Sequence, residues 1–127
     1  MLQFLYQVFK GTLSLKKISS LQHPYVKHLV RLKDDRDYRL ETGRVVVSGL
    51  KLISELSTLF DFRTLLFEEG FSVSFSYKTE ETYSVTPEIL KKITGLKKPE
   101  PIAAEIDLPP PGNLASAHFL LILDGIS

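Results

Sequence analysis

GRVVVSGLKLISEL, residues 43–56, reads as a strand, a glycine turn and an amphipathic helix. Val45, Val46 and Val47 are β-branched and suit a pleated backbone. A short continuous apolar run of this kind fits a strand covered on both faces. Ser48 is placed to cap the following helix through its hydroxyl, and Gly49 lets the chain turn without a Cβ clash. Leu50, Ile53 and Leu56, flanked by Leu52 and Leu59, recur at helical spacing and give one apolar face.

Upstream, Ile18 to Pro24 leads into a helix with Pro24 at its first position, where a missing amide hydrogen costs nothing. Val26, Leu29 and Val30 form its inward face. Lys27 and Arg31, four apart, point the same way. A second helical stretch carries Arg36 and Arg39 and ends at Thr42-Gly43. Residues 1–15 are an apolar leader without a clear period: a helix, a strand or a loose extension. Downstream, residues 63–67 predict a second strand, parallel to the first if the intervening helix is a right-handed crossover. Val73, Phe75 and Tyr77 alternate with serines, which suggests a short strand or an extended loop. Residues 82–85 predict a strand. Thr86-Pro87 opens a helix with Ile89, Leu90 and Ile93 inward and Gly95 as its stop. Residues 102–106 predict the next strand. Pro109-Pro110-Pro111 favours a stiff spacer, and residues 119–123 form a last apolar strand before Asp124-Gly125.

A chain of 127 residues with 43% hydrophobic and 24% charged content is long enough for one domain with a real core. It has no cysteine, hence no disulfide and no thiolate metal site. That is compatible with a reducing cytoplasm, the expected location. No apolar run reaches the eighteen or so residues of a membrane helix, and the leader lacks a basic start and a small-residue cleavage site. The net charge of +1 hides an asymmetry. Residues 1–44 hold nine Lys or Arg against four Asp or Glu; residues 45–127 hold seven against eleven. The first third either faces something anionic or is a solvated helix face.

Catalytic chemistry is hard to assemble. His23, His28 and His118 have no metal-ligand spacing. His23 reads as a cap or surface residue, and His28 as solvent-facing beside Lys27. Ser48-Gly49 lacks the G-x-S-x-G frame of a nucleophile elbow, so Ser48 reads as a cap. Asp124 is a single carboxylate without a partner. What remains is the basic surface: Lys27, Arg31, Lys33, Arg36, Arg39 and Arg44 as phosphate contacts, which position a nucleic acid without reading its sequence. Tyr25 and Tyr38 either stack on an unpaired base or pack in the core.

Residues 18–32, ISSLQHPYVKHLVRL, are similar to the opening of the substrate-binding domain of SpoU-type (TrmH-family, SPOUT superfamily) RNA 2′-O-ribose methyltransferases. The turn Arg44 to Gly49, the run Val85 to Ile93 and the segment Leu120 to Ile126 resemble three further family landmarks, in order and at matching spacing. The resemblance spans about residues 17–127. It implies an α/β fold: an L30e-like α/β/α sandwich, a mixed sheet with helices on both faces, that binds RNA. It divides the chain into an N-terminal extension (1–16), an RNA substrate-binding domain (17–107), a proline-rich linker (108–117) and the first strand of a methyltransferase domain (118–127). The family's catalytic motif and its S-adenosylmethionine-binding knot fall past Ser127. The chain is thus expected to be the RNA-binding half of a truncated enzyme, with no catalytic, cofactor or metal residue of its own. Its expected partner is structured RNA, ribosomal or transfer, and not a membrane; the full-length enzyme would dimerise through the missing domain. Alternatives are a non-enzymatic L30e-like adaptor and a scaffold pairing through residues 119–123. The sequence departs from the family pattern at Ser48, where an acidic residue is usual, at Pro101, where glycine is frequent, and in a shortened helix between the second and third strands.

Overall fold

The computed structural model describes residues 15–108. Five strands and four helices follow one another as β1 (Leu15–Ile18), α1 (Pro24–Asp34), α2 (Arg36–Thr42), β2 (Arg44–Ser48), α3 (Leu50–Leu56), β3 (Phe62–Glu68), β4 (Thr79–Val85), α4 (Pro87–Thr94) and β5 (Ile102–Asp107). The strands form one mixed sheet in the order β1-β4-β3-β5-β2. β1 and β3 flank β4 in parallel, while β5 runs antiparallel to both β3 and β2. The expected parallelism of residues 44–48 and 63–67 holds in direction, but β5 lies between them. The expected linker, the strand at 119–123 and most of the N-terminal extension lie outside the described residues.

The helix boundaries follow local chemistry. His23 Nδ1 accepts from the Tyr25 amide at 3.1 Å and starts α1, with Pro24 next. Asp35 Oδ1 accepts from the Tyr38 amide at 3.1 Å and starts α2; the left-handed Gly43 (φ 69°) ends it. Thr86 Oγ1 caps α4 at the Ile89 amide, and Gly95 (φ 74°) closes it. α3 differs. Ser48 completes β2 and caps nothing; the helix opens at Gly49 without a side-chain cap of its own. Instead Glu100, from the far end of the chain, accepts from the Leu50 amide at 2.8 Å. A local cap was expected, and a distant carboxylate replaces it.

Two cores lie on opposite faces of the sheet. On one, Val26, Leu29 and Leu32 of α1 and Ile89, Leu90 and Ile93 of α4 pack over Ile18, Leu66, Val85 and Ala103. On the other, Leu52, Ile53 and Leu56 of α3 pack over Val45, Val47, Phe62, Leu65, Ile102, Ala104 and Ile106. α3 alone cannot cover that face. A helix is about 10–12 Å across, whereas strands lie about 4.8 Å apart, so one helix covers two or three of five strands. Residues 69–78 supply the remainder as an extended segment without a helix, its half-buried Phe71, Val73, Phe75 and Tyr77 packed against the second core. Of the two readings of that segment, the extended loop is the one observed. β2 is an edge strand and not a central one; its three valines alternate, Val45 and Val47 to the second core and Val46 toward the first.

Candidate nucleic-acid interface

The face bearing α1 is organised around a buried carboxylate. β5 alternates, so Ile102, Ala104 and Ile106 point to the second core while Ala103 and Glu105 point under α1. Glu105 is 1% exposed. A lone buried carboxylate costs several kcal/mol, and this one is compensated by donors. Tyr25 Oη donates to Oε1 at 2.5 Å, His28 Nε2 meets Oε2 at 2.8 Å, and Arg44 Nη1 reaches Oε2 at 3.4 Å. The Tyr38 hydroxyl lies 2.7 Å from His28 Nδ1. One assignment serves both ring contacts: an Nε2–H donating to Glu105, and Nδ1 accepting from Tyr38. No buried side-chain polar atom among the described residues lacks a partner.

Positions 25 and 28 are three apart on α1, so their side chains meet over the sheet. The Tyr25 ring stacks with His28 at 5.6 Å and with Tyr83 at 5.0 Å. Burial, and next the charge of Glu105, push the Tyr25 hydroxyl far above the ordinary phenol range. The Tyr83 hydroxyl, partly buried and donating to Glu81 at 2.6 Å, is pushed up to about 12. His28 is therefore not the solvent-facing residue its neighbour Lys27 suggested; it is 22% exposed and bonded on both nitrogens. Tyr25 is a packing residue and not a platform for bases.

Above this network sits the basic surface. Lys27 is exposed and has no ion pair among the described residues. Arg31, 60% exposed, lies over the Tyr38 ring at 4.1 Å and near Asp35 at 3.7 Å. Tyr38 thus holds an arginine on its face and His28 at its hydroxyl. Arg36 is exposed, and Lys33 is half-buried beside Asp34 at 3.3 Å. The other two expected contacts are engaged inside the fold. Arg39 Nη1 donates to the carbonyls of Leu32 and Lys33 at 2.7 and 2.8 Å and closes the end of α1. Arg44 is drawn to Glu105 and to Asp107. The structure therefore gathers Lys27, Arg31, Lys33 and Arg36 on or beside one helix and turns Arg39 and Arg44 to scaffolding. Sequence reading overlooked Lys91, Lys92, Lys97 and Lys98, at and just past the end of α4, which packs beside α1. The signal was there, as an eleven-residue run from Ile89 to Pro99 without an acidic residue. Summing charge over the whole acidic remainder of the chain hid it.

No group of His, Asp and Glu able to hold a metal occurs among the described residues, and no helix among them is long and apolar enough to cross a membrane.

A family model described as MRM3-like substrate binding domain matches residues 23–104. Among solved structures, an RNA 2′-O ribose methyltransferase aligns with 77% of this chain and 39% of its own, at TM-score 0.65 and 23% identity. A putative RNA methyltransferase of the TrmH family from Porphyromonas gingivalis aligns with 71% of this chain and 36% of its own, at TM-score 0.59 and 28% identity. The SpoU methyltransferase AviRb from Streptomyces viridochromogenes, in complex with AdoMet, aligns with 74% of this chain and 38% of its own, at TM-score 0.59 and 19% identity. The first and third speak to the fold alone. The chain spans less than two fifths of the length of each. A comparison with curated proteins gives no match.

Proposed function

Because the chain belongs to the MRM3-like substrate-binding domain family of SpoU/TrmH-type RNA methyltransferases, we propose that it holds structured ribosomal or transfer RNA for ribose 2′-O-methylation. The observation that carries this reading is the exposed cationic face of α1, with Lys27 in no ion pair among the described residues and Arg31 braced on Tyr38. A side chain braced on an aromatic ring loses less freedom on binding than a free one. Lys27 and Arg31 neutralise phosphates and fix the orientation of the RNA; they do not read bases. Methyl transfer belongs to a separate catalytic domain, of which residues 118–127 are the proposed first strand behind a 108–117 linker, and through which the full enzyme would dimerise. S-adenosylmethionine would be the methyl donor in that chemistry, held by that catalytic domain.

The test is RNA binding by the 127-residue chain across a salt series. Affinity should fall steeply with salt, by a log–log slope of about 0.7–0.9 for each phosphate contact. Lys27→Ala/Arg31→Ala should weaken binding to a transfer RNA transcript or a ribosomal RNA hairpin and flatten that slope by about 1.5. Absence of binding at low salt, or an unchanged slope in the double variant, rejects the assignment.

A further inference from the structure

Six of the fifteen lysines and arginines among the described residues have an acidic partner. Lys16 pairs with Glu81, Lys17 with Glu69, Arg31 with Asp35, Lys33 with Asp34, and Arg63 with Glu80 and Asp107. Arg39 and Arg44 are engaged as described. Among the described residues Lys91, Lys92, Lys97 and Lys98 have no such partner; all four are exposed, and no acidic side chain occurs between Glu88 and Glu100. Attraction to the carboxyl end of α4 accounts for Lys91 and Lys92. It does not account for Lys97 and Lys98, which follow the left-handed Gly95 that ends the helix. Leu96, between the two lysine pairs, is 51% exposed.

This cluster adjoins the α1 face. A Cβ at Gly95 would stand 3.6 Å from both Cδ and Nζ of Lys33, so the ends of α1 and α4 meet there. Lys33 of α1 therefore lies against the turn that separates the two lysine pairs.

We propose that Lys91, Lys92, Lys97 and Lys98 form a second phosphate-binding arm that carries the RNA path from α1 across the end of α4. The proposal rests on the reading of the chain as an RNA-binding domain and extends its contact surface to residues outside the first third. An unpaired lysine is a flexible point charge that suits a phosphate chain of variable course. RNA, and not an anionic membrane, is the partner argued for, because the cluster continues a surface on a domain of an RNA-methyltransferase family.

The experiment uses the 127-residue chain and an unmodified transfer RNA transcript. Changing all four lysines to glutamine should cut affinity at least tenfold at low salt and flatten the salt slope by about 2–3, while the four-arginine version keeps both. Independently, bound transcript should protect the four lysines from amine acetylation in the unaltered protein, while Lys51 and Lys78 stay reactive. If the unaltered protein binds RNA and Lys27→Ala/Arg31→Ala weakens it, but the glutamine variant binds as tightly and no lysine of the cluster is protected, the second arm is wrong and the family reading stands. If the unaltered protein binds no RNA, the second arm and the RNA-binding reading of this chain both fall. If the glutamine variant loses binding to phosphatidylserine vesicles but not to RNA, the partner is a membrane and the proposal is overturned.

Discussion

Glu105 is the residue on which the α1 face turns. Its carboxylate is shared among Tyr25, His28 and Arg44, and a hydrogen bond to a charged group contributes about 1.5–3 kcal/mol. Tyr25→Phe should therefore lower stability by about that amount in urea titrations. The same hydroxyl gives the protein an alkaline limit. Tyr25 keeps its proton in the folded state to a higher pH than the ordinary 10.0, and Tyr83 keeps its own to about 12. Above pH 10 the unfolded chain sheds these protons and the folded one holds them, so stability is full below pH 10 and falls as pH rises beyond it. The fall between pH 10 and 12 should be shallower in Tyr25→Phe, measured by denaturant titration at each pH. An equal fall would place the alkaline loss elsewhere. None of this was legible from the sequence around His28. Its partner lies 77 positions away, and only the sheet register brings β5 beneath α1. His23, whose partner is two residues away, was legible as a cap.

At the scale of elements, the same rule separates what could be read. α1 and α4 begin, and α2 and α4 end, on residues within a turn of their boundaries, and the sequence marks those boundaries. α3 begins on a contact fifty residues distant, so Ser48 was credited with a role that Glu100 performs. β1 went unseen because its four residues are mostly exposed and carry no alternation of their own; pairing with β4 makes it a strand. Gly49 has φ 107°, and a Cβ there would come within 2.9 Å of Glu100 Oε2. Gly49→Ala should cost about 1–3 kcal/mol through backbone strain and also push Glu100 off the Leu50 amide. Glu100→Ala should cost about 0.5–2 kcal/mol as a lost cap. Because the first change already disturbs the second contact, the double variant should lose less than the two losses added. Strict additivity in denaturant titrations would mean that a Cβ at position 49 leaves the contact between Glu100 and the Leu50 amide undisturbed.

For the whole molecule, the fold class was readable from the order of landmarks along the chain, through the family that they resemble. The sheet order itself was not, because β5, last of the described strands, sits between β3 and β2. Four of its five buried residues are shared out between the two cores, and the fifth is Glu105. A chain ending at Glu100 should lose cooperative unfolding in circular dichroism and expose apolar surface. A sharp transition near that of the unshortened chain would show that the other four strands suffice.

The central place of β5 also sets a clock. Synthesis runs from the amino end at about 5–20 residues per second, so the interval between completing Glu68 and completing Asp107 is about 2–8 s. Throughout it, β2 and β3 exist with their facing edges unpaired and their valines and leucines uncovered, open to strands of neighbouring nascent chains. Substitutions that slow translation across residues 69–101 should therefore lower soluble yield in cells without altering the stability of the protein once made.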